Sequence, residues 1–179
     1  MQNKIIRAMT SCALMAALMC VLGPLSIPIG PVPISMGVFI MLLTVYLLGT
    51  AKALISCVVY LLLGAAGMPV FSGFQGGLAK LAGPTGGYLI GFLAMIAVTG
   101  WVIRLGKGRL AAAVAGMVLG VAVDYVFGTA WFVAITGNTW GQALGVCVYP
   151  FIPMDLGKIA AAALLGKMIR STLKRAKLL

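Results

Sequence analysis

The two carboxylates of this sequence are its best candidates for ligand binding or catalysis. Asp124 and Asp155 are the only acidic residues among 179, and both lie in strongly apolar surroundings. Lys158 follows Asp155 by three residues, a spacing that puts both side chains on one face of a helix. Each charge near the bilayer centre costs about 2.5–3.5 kcal/mol, and such residues usually face a bundle interior or a watery cavity. The pair therefore predicts a ligand-binding site, with a structural ion pair between helices as the alternative.

Asp124 falls near the middle of its apolar segment, deeper than Asp155. It has three possible roles: pairing with a buried partner, remaining protonated, or approaching the floor of a pocket. We expect a structural role. The different depths of the two carboxylates argue against an intramembrane enzyme that uses them as an acid/base pair. The absence of histidine excludes His-based catalysis and His-metal sites, and no phosphate-binding loop or HExxH motif occurs.

Composition indicates a membrane protein of one compact domain, residues 1–179. Hydrophobic residues make up 63% and charged residues 8%, whereas soluble domains carry roughly 25% charged residues. The net charge of +11 does not indicate nucleic-acid binding, because eight of the 13 basic residues flank apolar segments in two clusters. These eight are Arg104, Lys107 and Arg109, followed by Lys167, Arg170, Lys174, Arg175 and Lys177.

Six apolar segments predict an all-α integral membrane protein, a bundle of six transmembrane helices. The segments cover about 5–22, 36–48, 53–66, 84–103, 110–135 and 153–169. The bias of Lys and Arg then predicts that both termini are cytoplasmic, with Lys80 alone in an outer loop. All eight prolines and the main glycine runs fall on the outer side. Irregular backbone near membrane depth is tolerated where it lines a cavity, so we expect the outer loops 23–35 and 67–83 to form a ligand pocket.

Four motifs in these loops and at the last helix resemble a known family. They are GPVPIS at 30–35, GMPVFSGFQGG at 67–77, GPTGGYLIGF at 83–92 and PFIPMDLGK at 150–158. In this order they resemble the BioY family, the biotin-binding substrate (S) components of energy-coupling factor (ECF) transporters. Two positions depart from the pattern, since family members often have Gln at Gly37 and Gly at Met154.

The resemblance implies capture of biotin from outside and transport across a bacterial plasma (inner) membrane, not an enzymatic reaction. Its implied partners are a transmembrane coupling protein and two cytoplasmic ATPases. No cofactor is expected in this chain, because ATP would be used by the partner subunits. The alternative is the same architecture for another vitamin, thiamine or riboflavin.

The chemistry of biotin suggests how individual residues would contribute. Asp155 can accept an N–H of the ureido group, and Lys158 can donate either to its C=O or to the valerate carboxylate. Aromatic side chains could form apolar walls, and polar ones in the outer loops could bond to the ligand or simply close the loop. The candidates are Phe71, Phe74, Tyr88 and Trp131 for the walls, Gln75 and Thr85 for polar contacts, and Gly77 in the glycine run.

The first helix carries an Ala-x-x-x-Ala spacing at Ala13 and Ala17. Two small residues on one face allow another helix to approach closely. By resemblance to S components, we expect this face to dock the coupling protein. Packing within the bundle is the alternative.

Overall fold

The computed structural model describes residues 2–28 and 32–175. Gly30 and Pro31 of the first motif and Lys177 of the tail lie outside them. The described residues form eight helices and one two-stranded antiparallel ladder. In chain order these are α1 (Gln2–Leu22), β1 (Ser26–Ile27), β2 (Ile34–Ser35), α2 (Gly37–Leu48), α3 (Thr50–Ala65), α4 (Leu78–Ala82), α5 (Gly86–Leu105), α6 (Leu110–Thr136), α7 (Trp140–Cys147) and α8 (Phe151–Arg175).

The all-α membrane fold and the six apolar segments are confirmed. Among the described residues three helices are long and apolar enough to cross a membrane, and α7 and α8 together have the length and composition of a fourth such helix, with a bend of 45° between them. The helices α2 and α3 are apolar but shorter. The sequence prediction missed two short helices: α4 lies inside the outer loop 67–83, and α7 lies between the fifth and sixth apolar segments.

Helix α2 lies at the centre of the bundle. It contacts α1, α3, α5, α6 and α8, and every residue from Met41 to Tyr46 is buried. A helix that is apolar on all sides is stable only when it is surrounded, and this one has no polar face apart from Thr44, whose hydroxyl donates to Ile40 O at 2.6 Å. The short α2 therefore acts as the core around which the longer helices pack.

The most extensive helix contact joins α5 and α6, and glycines make it close. Every fourth residue of α6 from position 116 to position 128 is a glycine except one. The series is Gly116, Gly120, Asp124 and Gly128. A Cβ at Gly120 would meet Thr99 of α5, and one at Gly128 would meet the Tyr88 ring. Because residues four apart share a helix face, Asp124 must also point at α5.

Helix α1 packs on α3 and α2 through one stripe and leaves the opposite face open. The buried stripe follows the helical repeat: Cys12, Met15, Ala16 and Met19. Ala13 and Ala17 are exposed on the other face. Packing within the bundle therefore does not account for the Ala-x-x-x-Ala pair.

Candidate functional site

The predicted pair of Asp155 and Lys158 forms near the start of α8. Lys158 Nζ donates to Asp155 Oδ1 at 2.8 Å, and the exposed fractions of the two side chains are 11% and 4%. Pro153 lies in the first turn of α8, where its missing N–H removes no helical hydrogen bond. The helix can therefore begin close to the pair.

A third side chain, Tyr125 of α6, completes the hydrogen bonding of Asp155. Its hydroxyl donates to Asp155 Oδ2 at 2.5 Å. The carboxylate is thus bound by α8 through one oxygen and by α6 through the other. Sequence reasoning missed Tyr125, because nothing in the spacing between α6 and α8 indicates which residues meet. Each carboxylate oxygen retains acceptor capacity for a ligand, since it has two lone pairs.

These groups face a small cavity of 50 Å³. This volume has room for roughly one or two water molecules. The outer loop 23–35, which we call loop one, and five helices contribute to the wall of this cavity. The site therefore requires the complete fold. The lining residues are Val32, Pro33, Ser35, Val38, Tyr88, Phe92, Asp124, Tyr125, Cys147, Phe151, Asp155 and Lys158.

Asp124, for which the sequence favours a structural role, also lines this cavity. Its exposed fraction is 2%, and its Oδ1 has no hydrogen-bond partner among the described residues. Gly91 of α5 makes room for it, because a Cβ there would meet Asp124 Oδ1. Of the three roles considered from sequence, the approach to the pocket floor agrees with this position.

Tyr88 is the predicted aromatic residue that the structure brings to the cavity. Its hydroxyl lies 3.0 Å from Thr129 Oγ1, and its ring packs over Gly128. The absence of a side chain at Gly128 is what allows the ring to lie flat between α5 and α6. Tyr88 therefore forms a rigid wall of the cavity.

The predicted polar residues Gln75 and Thr85 lie elsewhere. They line a separate, open depression of 710 Å³ on the outer loops, together with Lys80. Burial lowers the pKa of the Lys80 ammonium. Gly77 precedes α4 with φ of 90°, a conformation that favours glycine, so its role in the structure is to turn the chain into that helix. None of these four residues lines the small cavity.

Phe71 and Trp131 are placed by packing instead. Phe71 is fully buried in the core, where its ring covers Gly64 and meets Tyr60 edge-on with centroids 5.5 Å apart. Trp131 donates its indole N–H to Gly83 O at 3.0 Å and so ties α6 to the motif before α5. Neither side chain borders the cavity.

An apolar groove of 690 Å³ adjoins the cavity between loop one and α8. Lys158 and Ser35 line both, so the ammonium stands where cavity and groove meet. Phe74, 65% exposed, borders the groove, as does Met154. Met154, one of the two residues that depart from the family pattern, thus lines the groove and not the cavity around Asp155.

The second departure, Gly37, has a local explanation. Gly37 N donates to Ser35 Oγ at 3.3 Å, and a Cβ there would lie 3.4 Å from the Phe92 ring. A longer side chain at this position would need the ring to shift. Gly37 therefore allows loop one to approach α5 closely.

Comparisons with known proteins agree over nearly the whole chain. Residues 1–175 match the model of the BioY family. A probable biotin transporter BioY of Pyrococcus horikoshii is 37% identical over 158 residues, which are 88% of this chain and 93% of the relative. Biotin transporter BioY2 of Lactococcus lactis is 35% identical, over 93% and 91% of the two chains. The crystal structure of the S-component for biotin from an ECF-type ABC transporter superposes with a TM-score of 0.89 at 28% identity, covering 96% of this chain and 94% of that one.

Proposed function

Because the chain belongs to the BioY family, we propose that it binds biotin as the substrate-binding S component of an ECF-type transporter. The observation that carries the proposal is the Asp155–Lys158 pair, which is buried beside a cavity and joined by a 2.8 Å bond. Charged groups at membrane depth are retained mainly where they serve a site. The whole chain, residues 1–179, acts as one membrane-embedded binding domain.

The pair matches the ureido group of biotin. In that group an N–H donor and a C=O acceptor are neighbours, just as Asp155 and Lys158 are neighbours on α8. An N–H bound to Asp155 brings the C=O beside Lys158 Nζ, so both ends form charge-assisted hydrogen bonds. We therefore assign Lys158 to the ureido C=O and not to the valerate carboxylate. Tyr125 orients the carboxylate through its bond to Oδ2.

Biotin entry requires the site to open. Ligand pockets of this kind hold roughly 300–1,000 Å³, far more than the 50 Å³ of the cavity. The apolar groove supplies the missing space when the boundary between groove and cavity opens at Ser35 and Lys158, because these two residues line both. The ring system then occupies the cavity, with Tyr88 as a wall, and the aliphatic tail lies in the groove. Gln75 and Thr85 line the separate outer depression and Gly77 turns the chain into α4, so we assign none of the three to direct contact with biotin.

Transport requires partner subunits. The expected partners are a transmembrane coupling protein and two cytoplasmic ATPases. The ATPases would hydrolyse the ATP that transport requires. The exposed Ala13 and Ala17 on α1 supply a face that another helix can approach closely. The Lys and Arg distribution supports cytoplasmic termini in a bacterial plasma membrane, with both glycine- and proline-rich loops outside.

Titration calorimetry on the detergent-purified protein tests biotin binding. We expect saturable heat with biotin at one site, without ATP or added metal. Thiamine and riboflavin serve as matched vitamin controls and should give no heat. Binding of either vitamin in place of biotin would transfer the proposal to that vitamin.

A further inference from the structure

Asp124 combines three features that ordinary packing does not explain. It is a carboxyl group with 2% exposure, its Oδ1 lacks a hydrogen-bond partner among the described residues, and it lines the cavity of Asp155 and Lys158. A buried acceptor without a partner loses its hydration without replacement, whereas an apolar side chain of the same shape has no such penalty. Asp124 therefore lowers the stability of the unliganded protein at this position.

The surrounding backbone keeps space for this side chain. Asp124 interrupts the row of glycines on α6, and Gly91 opposite it on α5 leaves the space that a Cβ would fill beside Oδ1. The packing therefore accommodates the carboxyl group but supplies no donor to it. The other polar side chains of this interface behave differently: Thr99 Oγ1 donates to Gly116 O at 3.1 Å, and Tyr88 pairs with Thr129.

The donor that Asp124 lacks is one that the proposed ligand has in excess. A ureido ring presents two N–H groups on either side of one C=O, and Asp155 with Lys158 uses one N–H and the C=O. Asp124 reaches the same cavity from α6 while Asp155 reaches it from α8. Oδ1 can accept a hydrogen bond whether the carboxyl is ionised or protonated.

We infer that Asp124 is a second ligand-binding residue, whose carboxyl group accepts the other ureido N–H of bound biotin. This inference rests on the proposed function. Recognition then depends on both N–H groups, each read by a different helix, and the site selects cyclic ureas over rings that have a single donor. The unliganded protein is less stable than it would be with an apolar residue at this position.

The first test is to measure stability and affinity together in the Asp124→Leu variant. We expect the unliganded variant to melt at the same temperature as the parent protein or higher, while biotin binds roughly 10- to 100-fold more weakly. Asp124→Asn, which keeps an acceptor oxygen and the shape of the side chain, should lose less than about tenfold. It also covers the case in which the Leu variant fails to fold.

Thr99→Val is the matched control, because it removes a buried polar group that is satisfied and lies outside the cavity. It should show the opposite behaviour: a lower melting temperature with unchanged biotin affinity. A merely structural Asp124 would behave like Thr99, so a lower melting temperature in Asp124→Leu with unchanged affinity overturns the inference.

Ligand analogues identify the group that Asp124 reads. For biotin methylated on one ureido nitrogen, the parent protein should bind both isomers poorly, because each isomer lacks one of the two N–H donors. Asp124→Leu should reduce the discrimination against one isomer only, the one methylated on the nitrogen that Asp124 reads, by at least about tenfold. Equal discrimination in both proteins, for both isomers, overturns the inference. If the parent protein binds no biotin at all, the proposed function fails first and the inference falls with it.

Discussion

Asp155 and Lys158 can be replaced singly and together. Comparing these variants separates the contribution of the ion pair to stability from its contribution to biotin binding. Lys158→Met leaves the Asp155 carboxylate buried at 4% exposure with only the Tyr125 hydroxyl as donor. Breaking a buried pair in this way costs about 3–5 kcal/mol of unfolding free energy. Asp155→Leu should cost less, because the long Lys158 stem can move its ammonium from 11% exposure toward water.

The double variant distinguishes the two roles. Replacing both partners of a buried pair by apolar residues of similar volume is often neutral, so Asp155→Leu with Lys158→Met should be more stable than Lys158→Met alone. Biotin binding should not recover. Each single variant loses the charge-assisted contact and an affinity factor of roughly 100 or more, and the double variant is no better than either.

The assay combines reversible unfolding in detergent with calorimetric titration of biotin on the same four proteins. Measuring both on each sample prevents a folding defect from being counted as a binding defect. Recovery of affinity in the double variant would refute the reasoning, because the pair would then act only through the integrity of the bundle. Near-parental affinity in both single variants would have the same consequence.

Three further predictions concern the hydroxyl on the carboxylate, the small face of α1 and the topology. Tyr125→Phe should weaken biotin binding roughly tenfold by leaving Asp155 Oδ2 without its donor, and unchanged calorimetric affinity would show that this bond does not orient the carboxylate. Ala13→Trp with Ala17→Trp should preserve biotin binding but abolish co-purification with the coupling protein. The control Leu164→Trp, at a 61% exposed position on α8, should affect neither. Loss of biotin binding in the double variant would contradict the docking role. In intact cells that express single-cysteine variants on a cysteine-free background, an impermeant reagent should label the outer loops 23–35 and 67–83. Labelling of the C-terminal tail would contradict cytoplasmic termini.

The predictions from sequence succeeded where the determining physics is local. Hydrophobicity and charge decide which segments can enter a bilayer, so the membrane class and all six segments followed from composition and order. The Asp155–Lys158 bond also followed, because residues three apart share a helix face whatever the rest of the fold does. Family motifs indicated biotin through the order of the loop residues, with no need for coordinates.

Only the tertiary structure decided which distant residues meet at the site. Tyr125 of α6 donates a hydrogen bond to Asp155 of α8, and Asp124 lines the same cavity. The glycines of α6 allow the face that carries Asp124 to pack closely against α5. Phe71, by contrast, packs into the core on Gly64, and Gln75 and Thr85 belong to a different depression. These five residues, Tyr125, Asp124, Phe71, Gln75 and Thr85, occur in or beside conspicuous motifs or charges, so residue type alone did not sort them. Their positions depend on helix rotation and on close packing between segments far apart in the chain, which no local pattern encodes.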